Sequence, residues 1–173
     1  MGVKVVQLSP KILTFFQEEI IRYPSAETGG ILMGCKKSDE LIIVTHVSFP
    51  GPKAIYKRRS ITFDIDYCQH FVDKVYYESG GAITYIGDWH CHQSKKIKPS
   101  KTDFFTLKRE SLNPESTECP IMLIVGVEKN FSRIIDFKDI YGFYYDRLSD
   151  CLREILVINE LGKKTQDFFV IHK

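Results

Sequence analysis

The chain has 173 residues, 43% hydrophobic and 27% charged, with a formal net charge of +2. A chain this long buries roughly two-thirds of its unfolded surface, which predicts one domain over residues 1–173 with its own core. The near-neutral balance argues against a general electrostatic grip on nucleic acid, and no apolar run reaches the ~20 residues of a membrane helix. Five cysteines, at 35, 68, 91, 119 and 151, are odd in number and form no CxxC pair. A disulfide framework is therefore not expected, and a reducing, cytoplasmic setting is. The apolar run near the N-terminus is too short for a signal peptide.

In chain order, "VKVVQL" (3–8) reads as a short strand. Ser9-Pro10 then reads as a helix N-cap followed by proline at the first helical position. Ile12, Leu13, Phe16 and Ile20 follow at helical spacing, and the helix should stop before Pro24. "TGGILMGCK" and "ELIIVTHVSF" read as strands joined by a polar turn at Lys37 to Asp39. Residues 50–60 read as a loop carrying a basic cluster, Lys57, Arg58 and Arg59.

"DYCQHFVDKVYYES" is a second amphipathic helix, stopped by Gly80-Gly81. "AITYIGDWHCH" is a strand, and a third helix should run from about Ser100 to Leu112. "PIMLIVGVE" is almost wholly apolar, so it should be central in the sheet; "SRIIDF" and "IYGFYYDR" are further strands. For "SDCLREILVINEL", within the segment 149–173, periodicity does not separate helix from strand. Helices mixed with hairpin-joined strands predict an α+β (mixed α/β) fold, one mixed sheet flanked by helices.

The chemistry concentrates in "GDWHCHQSKKIKPSKTD", Gly87 to Asp103. Strand alternation predicts Thr84, Ile86, Asp88, His90 and His92 on one face and Ile83, Tyr85, Trp89 and Cys91 on the other. Two imidazoles one pleat apart can reach a single ion, while Cys91, facing away, reads as a packing residue. A carboxylate from Asp103, at the start of the next helix, would supply a third ligand and leave a fourth position open, as catalytic zinc sites do. Ser100-x-x-Asp103 also reads as a capping box, which needs no metal. The two readings can coexist. A hydrolytic zinc site also wants a carboxylate outside the ligand set. Glu27, in "PSAETGGILMG", is available, though in isolation it reads as a surface acid.

Glu27 in "ETGGILMG", together with His90, His92, Ser100 and Asp103 in "HCHQSKKIKPSKTD", resembles the JAB/MPN family, the JAMM metalloproteases. That pattern is an upstream Glu, then His-x-His, seven residues, Ser, two residues and Asp, and the resemblance covers about residues 5–145. It implies that His90, His92 and Asp103 bind Zn²⁺, that Glu27 is the general acid/base and that Ser100 donates to the developing oxyanion. It further implies hydrolysis of a peptide or isopeptide bond at the extended C-terminal tail of a ubiquitin-like or otherwise conjugated protein, in company with conjugation-pathway enzymes. Two positions depart from the pattern: Cys91 where Ser or Thr is usual, and Gln93 where Pro is common.

Two other functions compete. One is a catalytically silent scaffold of the same fold, which the complete ligand set argues against. The other is a nucleic-acid-processing protein of that fold, suggested by Lys95, Lys96, Lys98 and Lys101 between the ligands. In the peptidase reading those four lysines rim the site and recruit substrate.

Overall fold

The structure, a computed structural model, describes residues 3–94, 97–127 and 139–162. In chain order the elements are β1 (Val5–Leu8), α1 (Pro10–Arg22), β2 (Gly29–Lys36), β3 (Leu41–Val47), β4 (Ile55–Lys57), β5 (Ser60–Thr62), α2 (Ile65–Glu78), β6 (Thr84–His92), α3 (Lys101–Leu112), β7 (Ile121–Gly126), β8 (Ile140–Asp146) and β9 (Cys151–Asn159). The fold is the expected mixed α+β domain. The main sheet runs β1-β3-β2-β6-β7-β8-β9 and closes on itself, because β9 pairs in parallel with β1. β1–β3 and β6–β7 are also parallel, and the remaining ladders are antiparallel.

Side-chain alternation sends each central strand to two cores. Leu32, Trp89, Cys91, Ile121, Leu123 and Val125 join Ile12, Phe16 and Ile20 of α1 in the larger one. On the other side of the sheet, Ile31 and Met33 pack on Cys68 and Val75 of α2. Met122 and Ile124 pack with Leu107 of α3. Burying side chains of this size contributes about 1.5–3 kcal/mol each. Helix α1 therefore covers one side of the sheet and α2 and α3 the other, leaving a gap between the last two.

Three expectations need correction or completion. The stretch 50–60 is not all loop: β4 and β5 form a separate two-stranded hairpin with Lys57 opposite Ser60. Tyr56 of this hairpin stacks on Tyr23 with ring centroids 3.9 Å apart, which docks it at the end of α1. The segment after Ser149 is a strand, β9, because its partners β8 and β1 supply ladders on both sides. Ser9 does precede α1, but its side chain makes no capping bond. The strand expected at "SRIIDF" lies outside the described residues, as do Lys95 and Lys96.

Candidate metal centre

The face assignment along β6 holds at the histidine end and fails at the other. The β2–β6 register shifts between Leu32 and Met33, so that Leu32 pairs with Gly87 and Met33 with Tyr85. The extra residue reverses the alternation. Ile86 therefore packs with Trp89 and Cys91 in the larger core, and Tyr85 joins the opposite side, where its hydroxyl donates to Asp88 Oδ1 at 3.1 Å. Gly87 sits at the bulge with φ +145°, and a Cβ there would collide with the Ile121 carbonyl. Beyond the bulge, Asp88, His90 and His92 face the gap between α2 and α3, while Trp89 and Cys91 are fully buried on the far side.

Helix α3 brings the third side chain back to the end of this strand. Ser100 Oγ accepts the Asp103 N–H at 3.2 Å, and Asp103 Oδ2 accepts the Ser100 N–H at 2.6 Å, a complete capping box. Ile97 lies against Gly126 at the end of β7, three residues before the cap. The cap therefore does not compete with the site, since it fixes the carboxylate that faces the histidines.

The three groups converge. His90 Nε2 and His92 Nε2 are 3.0 Å apart, His90 Nε2 lies 3.5 Å from Asp103 Oδ1, and His92 Nε2 lies 3.4 Å from Asp103 Oδ2. Donors held 2.0–2.1 Å from one tetrahedral ion stand roughly 3.4 Å apart. The spacing and the imidazole–imidazole–carboxylate chemistry thus suit a divalent cation such as zinc. Burial alone would raise the Asp103 pKa, but hydrogen bonds from His90 and His92, the charge of His90 and the Ser100 N–H hold it far below the usual carboxylate range. The acid is therefore held as the carboxylate.

Glu27 is not the surface acid that its loop position suggests; it is only 8% exposed. Its own N–H donates to the Lys57 carbonyl of the hairpin at 2.8 Å. Next to it, Thr28 Oγ1 donates to the buried Glu19 carboxylate of α1 at 2.8 Å, and Gly29 sits opposite His90 across the ladder. A Cβ on Gly29 would strike the Trp89 carbonyl, which is why the acid precedes glycine. Burial pushes the Glu27 pKa up to about 7; His92 and Arg59 pull it down and Asp103 pushes it up. A carboxyl group poised there can both accept and release a proton near neutrality.

The candidate site lies in one cleft of about 1400 Å³. That exceeds the ~300–1,000 Å³ usual for small-molecule pockets and suits a length of extended peptide. Glu27, His90, His92, Ser100 and Asp103 share it with hairpin residues Arg58 to Thr62 and with Arg109 and Glu110 of α3. Of the predicted basic residues, Arg58, Arg59 and Lys98 line the cleft and Lys101 is exposed.

Three contributors escape a motif search. Asp88 lies in the floor, where burial pushes its pKa up to about 7 despite the Tyr85 hydroxyl; its place two residues before His90 is the signal that marks it. Glu19 and Arg59 act across the fold, and nothing in their local sequence announces it. All five cysteines are free thiols, and among the described residues no helix is long and apolar enough to cross a membrane.

Comparison with known proteins agrees with this geometry. The family described as prokaryotic homologs of the JAB domain matches residues 16–137. A CD-NTase/cGAS isopeptidase of Escherichia coli (strain TW11681) is 33% identical over 122 residues, 70% of this chain and 76% of that one. A probable metalloprotease, y4qB, of Sinorhizobium fredii is 30% identical over 124 residues, with the same coverage of 70% and 76%. In fold, the chain is similar to protein DSY2949 of Desulfitobacterium hafniense, with a TM-score of 0.62 and 18% identity over 97% of this chain and 99% of that one. The match over residues 16–137 takes in Glu27, both histidines and Asp103, and on it the chain belongs to the prokaryotic JAB family, as a metalloprotease or isopeptidase of the JAMM type.

Proposed function

We propose that this protein is a zinc-dependent isopeptidase that releases a CD-NTase-like protein, or a ubiquitin-like modifier, from the amine to which its C-terminal tail is joined. The observation that supports this reading is the convergence of His90, His92 and Asp103 in a cleft that also holds a buried Glu27. The relative named as a CD-NTase/cGAS isopeptidase supports the substrate class. Conjugation-pathway enzymes are the expected partners, acting in the cytoplasm on the bond that this protein cuts.

Zinc, when bound, supplies a Lewis acid for the scissile carbonyl and an acidified water. His90, His92 and Asp103 hold the ion. Glu27 takes the proton of the attacking water and returns it to the leaving amine, a shuttle for which a pKa near 7 is matched. Ser100 uses an acceptor site for the α3 cap and keeps its O–H to donate to the developing oxyanion. The substrate tail lies extended along the cleft, which the two-stranded β4–β5 hairpin borders beside the metal centre. Exposed Lys98 and Lys101, with Arg58 and Arg59 across the opening, attract an acidic partner.

Glu27→Gln is the sharpest test. It should keep its zinc by elemental analysis while cleavage of a CD-NTase joined through its C-terminus to a lysine side chain falls 10²- to 10⁴-fold. A wild-type protein that leaves both this conjugate and a ubiquitin-like fusion intact would refute the isopeptidase reading. A Glu27→Gln variant with full rate would remove Glu27 from the chemistry.

A further inference from the structure

The two positions that depart from the family pattern, Cys91 and Gln93, flank His92 in sequence and meet again around Glu27 in space. Gln93 Nε2 donates to the Ala26 carbonyl at 2.8 Å. Cys91 Sγ accepts the Thr28 N–H at 3.4 Å and lies 3.9 Å from the Ala26 oxygen. Gln93 Nε2 also lies 3.9 Å from that sulfur. The Ala26 carbonyl belongs to the peptide group entering Glu27, and the Thr28 N–H to the one leaving it. Both peptides flanking the acid are thus held by side chains flanking a metal ligand.

We propose that Gln93, with Cys91, is a positioning clamp that sets the Glu27 carboxylate relative to His92. The inference rests on the reading of Glu27 as the general acid/base. Residues 26–28 precede β2, so the ladder that fixes Gly29 opposite His90 does not reach Ala26. Thr28 shares one backbone bond with β6, the Cys91 N–H donating to its carbonyl at 2.9 Å. The Ala26 carbonyl is held by the side chains of Gln93 and Cys91, and the N–H of the same peptide by the Lys57 carbonyl of the hairpin. Sulfur is a weak acceptor, so the amide of Gln93 is the stronger arm. A proline at 93 has no side-chain donor, so the usual family residue could not make this contact. Gln93 touches the loop that carries the acid, which makes it a positioning residue.

The test is Gln93→Met, which keeps the side chain's length and removes the donor, with Gln93→Ala as a second variant should methionine disturb packing. Hydrogen exchange in the metal-free protein should speed up roughly five- to tenfold at the Glu27 and Thr28 amides, the loss expected from one hydrogen bond. Thermal midpoint should fall by no more than about 2–4 °C, and zinc content should not change. On the CD-NTase–lysine conjugate, kcat should fall about 10- to 100-fold at constant KM, as misplacement of a catalytic group does. Unchanged exchange overturns the clamp, and so does faster exchange with wild-type kcat. A raised KM at constant kcat also overturns it, placing Gln93 against the substrate instead. The two readings fail separately: Glu27→Gln at full rate removes the base, whereas an inactive Glu27→Gln beside an unimpaired Gln93→Met removes the clamp.

Discussion

Helices α1 and α3 both begin after a serine in extended conformation, Ser9 with ψ 159° and Ser100 with ψ 172°. Three residues later α1 has Ile12 and α3 has Asp103. Ile12 is buried in the larger core beside Phe16 and Ile20, and Ser9 makes no side-chain bond. That helix start is held from the inside, by packing, and Pro10 has no N–H to satisfy. Helix α3 buries only Leu107 and Ser111, so its start is held by the reciprocal bonds between Ser100 and Asp103. Packing tolerates small shifts of a side chain, whereas a capping box fixes one rotamer of one acid. The metal centre draws on the start that fixes a carboxylate.

The largest test of this difference is Asp103→Ala. It should abolish stoichiometric zinc binding and activity together, read by elemental analysis after mild chelation; zinc equal to wild type would remove Asp103 from the ligand set. Next is Ser100→Ala, which should lower kcat by about 10²- to 10³-fold, the scale for one lost oxyanion donor, with zinc retained. The same variant should cost about 1 kcal/mol of unfolding free energy, the scale for a lost N-cap, measured by urea denaturation.

A smaller effect is expected in acid. The folded-state pKa of Asp103 lies far below the unfolded value of about 3.9. Its contribution in the metal-free protein is therefore complete above that value and lost as pH falls below it. Asp103→Asn should flatten the acid limb of stability against pH below about 4; an unchanged limb would mean that the carboxylate is not held in solution as it is here. The smallest effect belongs to Ser9→Ala, which should move stability by no more than about 0.5 kcal/mol. A loss equal to that of Ser100→Ala would erase the distinction between the two helix starts.

The site was legible where it depends on local spacing. His90 and His92 alternate to one face, and the Ser100–Asp103 interval encodes both the cap and the placing of the Asp103 carboxylate beside the histidines. It was illegible where partners decide. The reversal at Gly87 is a register event set by β2, so Ile86 and Tyr85 exchanged faces without any signal in β6 itself. Glu27 is buried where its own N–H meets the Lys57 carbonyl and its neighbours Ala26 and Thr28 bond Gln93 and Cys91, partners that the local sequence does not reveal. Strands of three residues, as in β4 and β5, are too short for periodicity to register. β9 resolves as a strand through pairing with β1, at the opposite end of the chain.

That last pairing bears on the order of folding. Closure of the sheet joins Val5 to Leu156, whereas the candidate metal centre rests on pairings nearer in sequence: Gly29 opposite His90, His92 opposite Gly126 and the Ser100–Asp103 cap. Loop-closure cost rises with the length of chain enclosed, and distant pairings form slowly. The three candidate ligands can therefore come together while the two ends of the chain are still apart. On a ribosome, every element that carries the candidate site would be synthesised before β9, which then closes the sheet behind it.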